Sequence, residues 1–175
     1  MRILVACDKF RGSLSATQAN AAIIAGLARS GLAAVAESRA IADGGEGTVE
    51  AFRDGVPGRL VPVRVAGPFG DPADAAFFLS ADGALAVIEA AAAVGHHLAG
   101  RRDPDRASSF GVGELVRAAA AAGARRVIVG LGGSVTVDAG AGLLEALGAR
   151  YRDAGGAVLE RPAGRALGAI AAIDL

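Results

Sequence analysis

The fold of this chain is indicated most clearly by residues 126–147, whose sequence is RVIVGLGGSVTVDAGAGLLEAL. Residues 126–131 are rich in β-branched side chains and predict a strand, whereas residues 138–147 predict a helix. A glycine-containing loop, 132–137, joins the two. A strand, a glycine loop and a helix in this order can place backbone N–H groups and a helix N-terminus against an anion. We therefore expect an α/β protein with an anion-binding loop at this point.

The loop offers several kinds of polar contact to a ligand. Two glycines can expose backbone N–H groups, two hydroxyls can donate hydrogen bonds, and a carboxylate can cap the helix or contact a cation. The loop is not a dinucleotide fingerprint, because Val135 stands where the third glycine of that motif belongs. A tight turn without a ligand is the alternative interpretation. The candidate residues are Gly132, Gly133, Ser134, Thr136 and Asp138.

The rest of the chain alternates predicted strands and helices. Strands are expected over 3–6, 34–41, 60–65, 75–79 and 85–88, and helices over 17–29, 48–53 and 108–122. This alternation favours a mostly parallel three-layer sheet with helices on its faces. Short turns in the middle of the chain indicate a second, smaller α/β subdomain inserted in the first. We expect a first domain to begin with residues 1–60, and the second to comprise 61–175 and carry the glycine loop.

A polar segment, DKFRGS at residues 8–13, follows the first predicted strand. Ligands of open α/β sheets bind outside the carboxyl ends of strands. Asp8 can hold magnesium or accept a hydroxyl proton, and Lys9 or Arg11 can offset charge that develops on a transferring phosphoryl group. A polar loop with a solvated ion pair is the alternative.

A second polar segment, IADGGEGT at residues 41–48, combines two carboxylates with three glycines. Glycine lets the backbone approach a ligand closely, and carboxylates suit magnesium or a substrate hydroxyl. A turn in which the first carboxylate caps a helix is the alternative. The candidates are Asp43, Gly44, Gly45, Glu46 and Gly47. Ser108 and Ser109, at the start of a predicted helix, can add hydroxyl and N–H groups to the same site.

Composition excludes several classes of protein. Acidic and basic residues are equal in number, aromatic residues make up 4%, and tryptophan is absent, so we expect no nucleic-acid partner. No apolar stretch reaches the roughly 18 residues of a membrane span, and no signal peptide is recognisable, so we expect a cytoplasmic protein. Cys7 is the only cysteine, and His96 and His97 are interpreted as surface residues. Lys9 is the only lysine and lies in no Walker A motif.

Four motifs, taken in order, resemble the glycerate kinase family of the bacterial glycerate 2-kinase type. They are DKFRGSLSA at 8–16, ADGGEGT at 42–48, SSFGVGEL at 108–115 and GGSVTVDAGAG at 132–142. Family members are about twice as long, so the resemblance covers only the N-terminal portion and the chain looks truncated. This chain has Arg11 where the family has lysine, Val112 where it has threonine, Val137 where it has asparagine, and Ala139 where it has glycine.

The resemblance implies transfer of the γ-phosphoryl group of ATP, with Mg2+, to D-glycerate, giving 2-phosphoglycerate. It implies substrate or metal contacts for Asp43 and Glu46, anion contacts for the glycine loop, and metal or base roles for Asp8 and Asp138. The metal ligands themselves are not assigned. Two alternatives remain open: a non-catalytic remnant that binds an anionic metabolite, and a fragment that needs a partner chain. Association into a homo-oligomer is also left open.

Overall fold

The structure is a computed structural model that describes residues 1–10 and 12–175. The candidate Arg11 lies outside the described residues. Within them the strands are β1 (Arg2–Val5), β2 (Val35–Ser38), β3 (Gly58–Ala66), β4 (Pro72–Ser80), β5 (Leu85–Glu89), β6 (Arg126–Gly130), β7 (Arg150–Arg152), β8 (Val158–Leu159) and β9 (Ala172–Asp174). The α-helices are α1 (Ala16–Arg29), α2 (Thr48–Gly55), α3 (Ala91–Val94), α4 (Phe110–Ala121) and α5 (Ala141–Ala146).

The first strands form a two-stranded parallel sheet that α1 connects. Helix α1 begins where the sequence indicates, because Ser15 and Gln18 form a capping box at its N-terminus. Asn20 of this helix is fully buried; its side chain accepts a hydrogen bond from the backbone N–H of Cys7 at 2.9 Å and donates one to Ser38 at 3.1 Å. The helix thereby fixes the chain at the carboxyl ends of both strands, where the polar segments begin.

The central sheet has the strand order β3-β4-β5-β6. Pairs β3–β4 and β4–β5 are antiparallel, and only β5–β6 is parallel. The α/β class is confirmed, but the pairing differs from the mostly parallel sheet that we expected. The physical reason is the length of the connections, since the turns after β3 and β4 are too short to carry a crossover helix.

The hydrophobic core lies between the central sheet and two helices. Phe77 and Ile88 pack with Val112 and Leu115 of α4, together with α3, and all four side chains are fully buried or nearly so. The opposite face of the sheet is covered in part by α2, whose first turn donates a backbone hydrogen bond to the side chain of Glu89. Helices on two faces hold the ends of β5 and β6 in fixed positions.

The last strands form a small sheet of order β8-β7-β9. The end of the described chain belongs to this sheet, because β9 pairs antiparallel with β7. Tyr151 of β7 is buried and donates a hydrogen bond to the carbonyl of Ala141 at 2.9 Å. This contact ties the small sheet to the start of α5. The predicted division into domains at residue 60 stays a prediction, and β3 begins slightly before it.

Candidate active site

The two glycine-rich segments of the sequence meet backbone to backbone. The N–H of Gly132 donates a hydrogen bond to the carbonyl of Gly44 at 2.9 Å. A Cβ atom at Gly132 would lie 2.6 Å from the Cα of Gly45, and one at Gly130 would collide with the Gly44 carbonyl. Only glycine permits this approach. The glycines of both motifs therefore serve contact between the two loops.

The contact lies at the carboxyl ends of the parallel strands. Glu89 of β5 is aligned with Gly130 of β6, and the chain continues from each into a loop. The polar segments that contain Asp8 and Asp43 follow β1 and β2, which are also parallel. Four strand ends thus deliver their loops to one place, as expected for a ligand site of an α/β sheet.

A cluster of charged side chains lies beside the glycine contact. The Lys9 ammonium donates a hydrogen bond to the Asp43 carboxylate at 3.0 Å and lies 3.7 Å from Asp8. The Asp43 carboxylate also accepts the backbone N–H of Gly45 at 2.9 Å. Lys9 is largely covered, whereas Asp43 is exposed. The side chain of Asp43 is thereby oriented by two donors while its remaining surface faces solvent.

These contacts shift two pKa values in opposite directions. The N–H of Gly45, and next the hydrogen bond from Lys9, lower the pKa of the Asp43 carboxyl. The hydrogen bond to Asp43 is the main cause that raises the pKa of Lys9. At neutral pH the pair is therefore a carboxylate and an ammonium. A carboxylate in this state suits a metal ion or a hydroxyl donor.

A cavity of about 240 Å³ opens on this cluster. Among the described residues, its lining consists of seven predicted site residues and one neighbour, His96; the seven are Asp8, Lys9, Asp43, Gly45, Glu46, Gly132 and Gly133. Gly44, another predicted site residue, does not line this cavity but accepts the hydrogen bond from Gly132 that joins the two loops. Gly47 is the N-cap that precedes α2 and has a positive φ of 92°. The structure thus brings together the segments that lie far apart in the sequence.

Sequence analysis missed three residues at this site. His96 lines the cavity, and His97 places its Nδ1 3.9 Å from the Glu46 carboxylate. Both histidines are exposed, as expected, but their position beside the cavity depends on α3 and could not be inferred from two adjacent residues. Glu89 is half-buried, and burial raises the pKa of its carboxyl. It accepts the N–H of Val49 at 2.7 Å and so holds the start of α2.

Ser134 and Thr136 lie on the other side of the glycine loop. Their hydroxyls are hydrogen-bonded to each other at 2.8 Å, and the N–H of Thr136 donates to Ser134 at 3.1 Å. They line a second cavity of about 700 Å³, which His96 also lines. These two candidates are therefore near the Lys9 cavity but face a separate space.

Asp138 is buried and serves as a cap in this structure. Its Oδ2 accepts the N–H of Ser109 at 2.7 Å, the Ser109 hydroxyl at 2.8 Å and the N–H of Gly142 at 3.2 Å. The helix predicted over 138–147 accordingly begins later, at Ala141, because Asp138 binds amides that precede and open it. The geometry favours capping over cation contact, the two roles that the motif allows; its catalytic role stays a prediction.

The two serines of the third motif have different surroundings. Ser109 is buried beside Asp138, and its hydroxyl also accepts the N–H of Leu143 at 2.9 Å. Ser108 lines a small cavity of about 190 Å³ on the side of Phe69 and Arg161. Neither serine lines the cavity that contains Lys9. Their proposed contribution to the same site therefore stays a prediction, and Ser109 has a structural role in this fold.

The carboxylates of the Lys9 cavity fit a magnesium ion only in part. Mg2+ is usually held by one or two carboxylates together with substrate phosphates, rather than by a cage of protein ligands. The described residues contain no cluster of three or more His, Cys, Asp or Glu side chains that would form such a cage. Asp8, Asp43 and Glu46 nevertheless line one cavity and can supply one or two oxygens. The donor set thus suits a metal that arrives with a phosphate ligand.

Within the described residues, no helix has both the length and the apolar character that crossing a membrane requires.

Comparison with known proteins shows the family to which this chain belongs. A profile described as the glycerate kinase family matches residues 3–175. The chain belongs to the glycerate kinase family. A glycerate kinase of Bacillus subtilis is 45% identical over 177 residues, covering 100% of this chain and 46% of the relative. A glycerate 2-kinase of Escherichia coli is 44% identical over 158 residues, covering 89% of this chain and 42% of the relative.

A solved structure also matches nearly the whole chain. It is a crystal structure from Salmonella typhimurium LT2 of a protein provisionally named glycerate kinase 2. Its TM-score is 0.83 at 44% identity, with 99% of this chain and 47% of that chain covered. The chain therefore spans about half the length of the family members that it matches. The expected match to the N-terminal portion of the family is confirmed.

Proposed function

We propose that this chain carries the acceptor side of a glycerate kinase, which transfers the γ-phosphoryl group of ATP to the 2-hydroxyl of D-glycerate and gives 2-phosphoglycerate. The observation that carries the proposal is the cavity in which Lys9, Asp43 and the loop at Gly132 meet. Membership of the glycerate kinase family supplies the chemical class. A cavity of about 240 Å³ is of the size that a three-carbon acid needs.

The residues present suit a reaction that depends on position and charge. Phosphoryl transfer asks for little covalent chemistry, and alignment with electrostatic stabilisation supplies most of the rate. Asp43, held ionised by its neighbours, accepts a hydrogen bond from the substrate hydroxyl and orients it. Lys9, held protonated, offsets negative charge near the transferring group. Gly133, which lines the same cavity, would contribute its backbone N–H to an anionic oxygen.

ATP and Mg2+ are proposed as cofactors. When bound, Mg2+ would supply positive charge that offsets the negative charge of the phosphate groups. Asp8 and Glu46 would contribute carboxylate oxygens to it, because they line the same cavity as Asp43. We further propose a cytoplasmic protein whose partners are the small-molecule substrate and the nucleotide.

A second candidate is a fragment that needs a further chain for activity. Several large apolar side chains are exposed: Leu4 is 64%, Val35 is 65% and Leu131 is 72% accessible. Two of them lie on the parallel β1–β2 sheet, and parallel sheets are usually covered on both faces. A non-catalytic remnant is the third reading. Size-exclusion chromatography of the isolated chain separates the second candidate from the first, since uncovered apolar surface leads to association.

The test is turnover with matched variants. The purified chain is incubated with ATP, Mg2+ and D-glycerate, and glycerate-dependent ADP release is compared with that of Asp43→Asn, Lys9→Ala and the control Arg59→Ala. We expect a loss of at least tenfold in kcat/KM for the first two and none for Arg59, an exposed residue of β3. Wild-type rates in the Asp43 and Lys9 variants would refute the assignment of this cavity.

A further inference from the structure

A second cavity of about 700 Å³ adjoins the Lys9 cavity. Segment 96–104 forms one side of it and the loop 134–137 forms the other. His96 lines both cavities, and the glycine loop lines both as well, with Gly133 on one side and Ser134 on the other. The two spaces are therefore neighbours that share a wall.

The charges of the two cavities differ in sign. The charged residues described in the lining of the larger one are Arg101 and Arg102, which are basic, and Asp103, which is acidic. Among the described residues, the smaller one is lined by three acidic residues, Asp8, Asp43 and Glu46, and by one basic residue, Lys9. A ligand with several negative charges is repelled by the smaller cavity and attracted by the larger one. Arginine also matches phosphate geometry, because its planar group can donate two parallel hydrogen bonds.

Size separates the two spaces in the same way. Pockets of about 300–1,000 Å³ hold ligands much larger than a three-carbon acid. At about 700 Å³ the larger cavity has room for a nucleoside triphosphate, whereas the smaller one, at about 240 Å³, does not. The nucleotide that donates the phosphoryl group and the substrate whose hydroxyl accepts it would then lie on opposite sides of one loop.

Two of the groups that would contact phosphate, those of Arg101 and Ser134, are held in place before a ligand arrives. Arg101 stacks on the ring of Phe69, with its guanidinium carbon 4.3 Å from the ring centre. The hydroxyls of Ser134 and Thr136 are hydrogen-bonded to each other at 2.8 Å. Between them, the N–H of Val135 donates a hydrogen bond to the carbonyl of Val94 at 3.0 Å, which fixes the loop. Groups that are already oriented lose less conformational entropy on binding.

We infer that the larger cavity binds the polyphosphate chain of a nucleoside triphosphate through Arg101 and Arg102, with its terminal phosphate directed towards His96 and Ser134. The inference rests on the proposed function for the identity of the nucleotide. It adds a phosphate-binding role for two arginines that belong to none of the four sequence motifs. It also assigns the two ligands to different cavities, with the shared loop between them.

The experiment measures binding separately from turnover. ATP with Mg2+ is titrated into the full chain by calorimetry, and sodium tripolyphosphate and adenosine are used as competitors. We expect tripolyphosphate to displace ATP and adenosine to displace it far less. Arg102→Ala and Arg101→Ala should each weaken ATP binding tenfold or more, because charged hydrogen bonds are among the stronger polar contacts. Arg59→Ala is the control arginine and should stay within twofold.

Melting temperatures of all variants show whether each one folds. Arg102→Gln serves as a further variant, because Arg101→Ala also removes the contact of Arg101 with Phe69 and can therefore affect folding. The inference is overturned if the folded wild-type chain binds no nucleotide, or if the Arg101 and Arg102 variants bind ATP as the wild type does.

The outcome for this cavity can be told apart from that for the proposed function. A chain that binds tripolyphosphate through these arginines but does not phosphorylate glycerate supports the cavity assignment and refutes the activity. A chain that phosphorylates glycerate with an unchanged KM for ATP in both arginine variants supports the activity and refutes the cavity assignment.

Discussion

The contact between the two glycine loops can be tested by adding one methyl group. In Gly132→Ala the new Cβ would lie 2.6 Å from the Cα of Gly45 and 2.8 Å from its nitrogen. Carbon atoms in ordinary contact are about 3.5 Å apart or more, so the loops must separate by about 1 Å. Both neighbouring atoms belong to the backbone, so no side-chain rotation can relieve the clash.

The size of the effect follows from two contributions. Overpacking of this kind costs about 1–3 kcal/mol. Separation also weakens the 2.9 Å hydrogen bond from Gly132 to Gly44, whose net contribution is about 1 kcal/mol. We therefore expect a loss of about 2–4 kcal/mol in the free energy of unfolding, which lowers the melting temperature by roughly 5–15 °C for a chain of this size.

The assay is urea unfolding together with amide hydrogen exchange at position 132. Gly26→Ala is the matched control, since a Cβ there meets nothing within 4 Å and the site lies inside α1. The control should gain about 0.5–1 kcal/mol from helix propensity. An unchanged unfolding free energy and unchanged exchange in Gly132→Ala would refute the proposed backbone contact.

Three further predictions concern the same region. Asp138→Ala should lose about 2–4 kcal/mol in urea unfolding, because the N–H of Ser109 and other buried donors lose their acceptor; a loss below 1 kcal/mol would contradict the capping role. Ala139 has a φ of 50°, so Ala139→Gly should stabilise the chain by about 0.5–1 kcal/mol, and destabilisation would argue against that conformation. The pKa of Asp43 is lowered, so its contribution to stability is present above the usual aspartate pKa and is lost as pH falls. Carboxyl NMR titration should show that Lys9→Ala moves this pKa upward, whereas an unchanged titration would exclude the ion pair.

Local signals in the sequence predicted much of the fold. The start of α1 was predictable because Ser15 caps it directly, and the turn at 82–83 was predictable from its aspartate and glycine. The antiparallel pairing of β3, β4 and β5 was less predictable, because the alternation of elements at both ends of the chain favours a parallel sheet. The later start of α5 depends on which donors Asp138 accepts, and that is a tertiary property.

The main residues of the candidate site were predictable from the sequence, but the division of the site into two neighbouring cavities was not. Asp43 and the loop at Gly132 could be predicted as site residues because glycines next to polar side chains are typical of ligand loops. In the structure both line one cavity. Glu89 gave no such signal, because a single carboxylate at the end of an apolar strand is indistinguishable from a surface residue until its burial is known. Arg101 and Arg102 likewise gave no signal in the sequence, because the phosphate-binding role inferred for them depends on the loop that lies opposite them in the larger cavity.

The most direct test of the central claim identifies the product. The folded chain is incubated with ATP, Mg2+ and D-glycerate, and the phosphorus NMR spectrum is followed for a new phosphate monoester. The account predicts a 2-phosphoglycerate signal that requires glycerate and is lost in Asp43→Asn. A folded wild-type chain that forms no glycerate-dependent monoester would contradict the claim that this chain carries a working site for phosphoryl transfer.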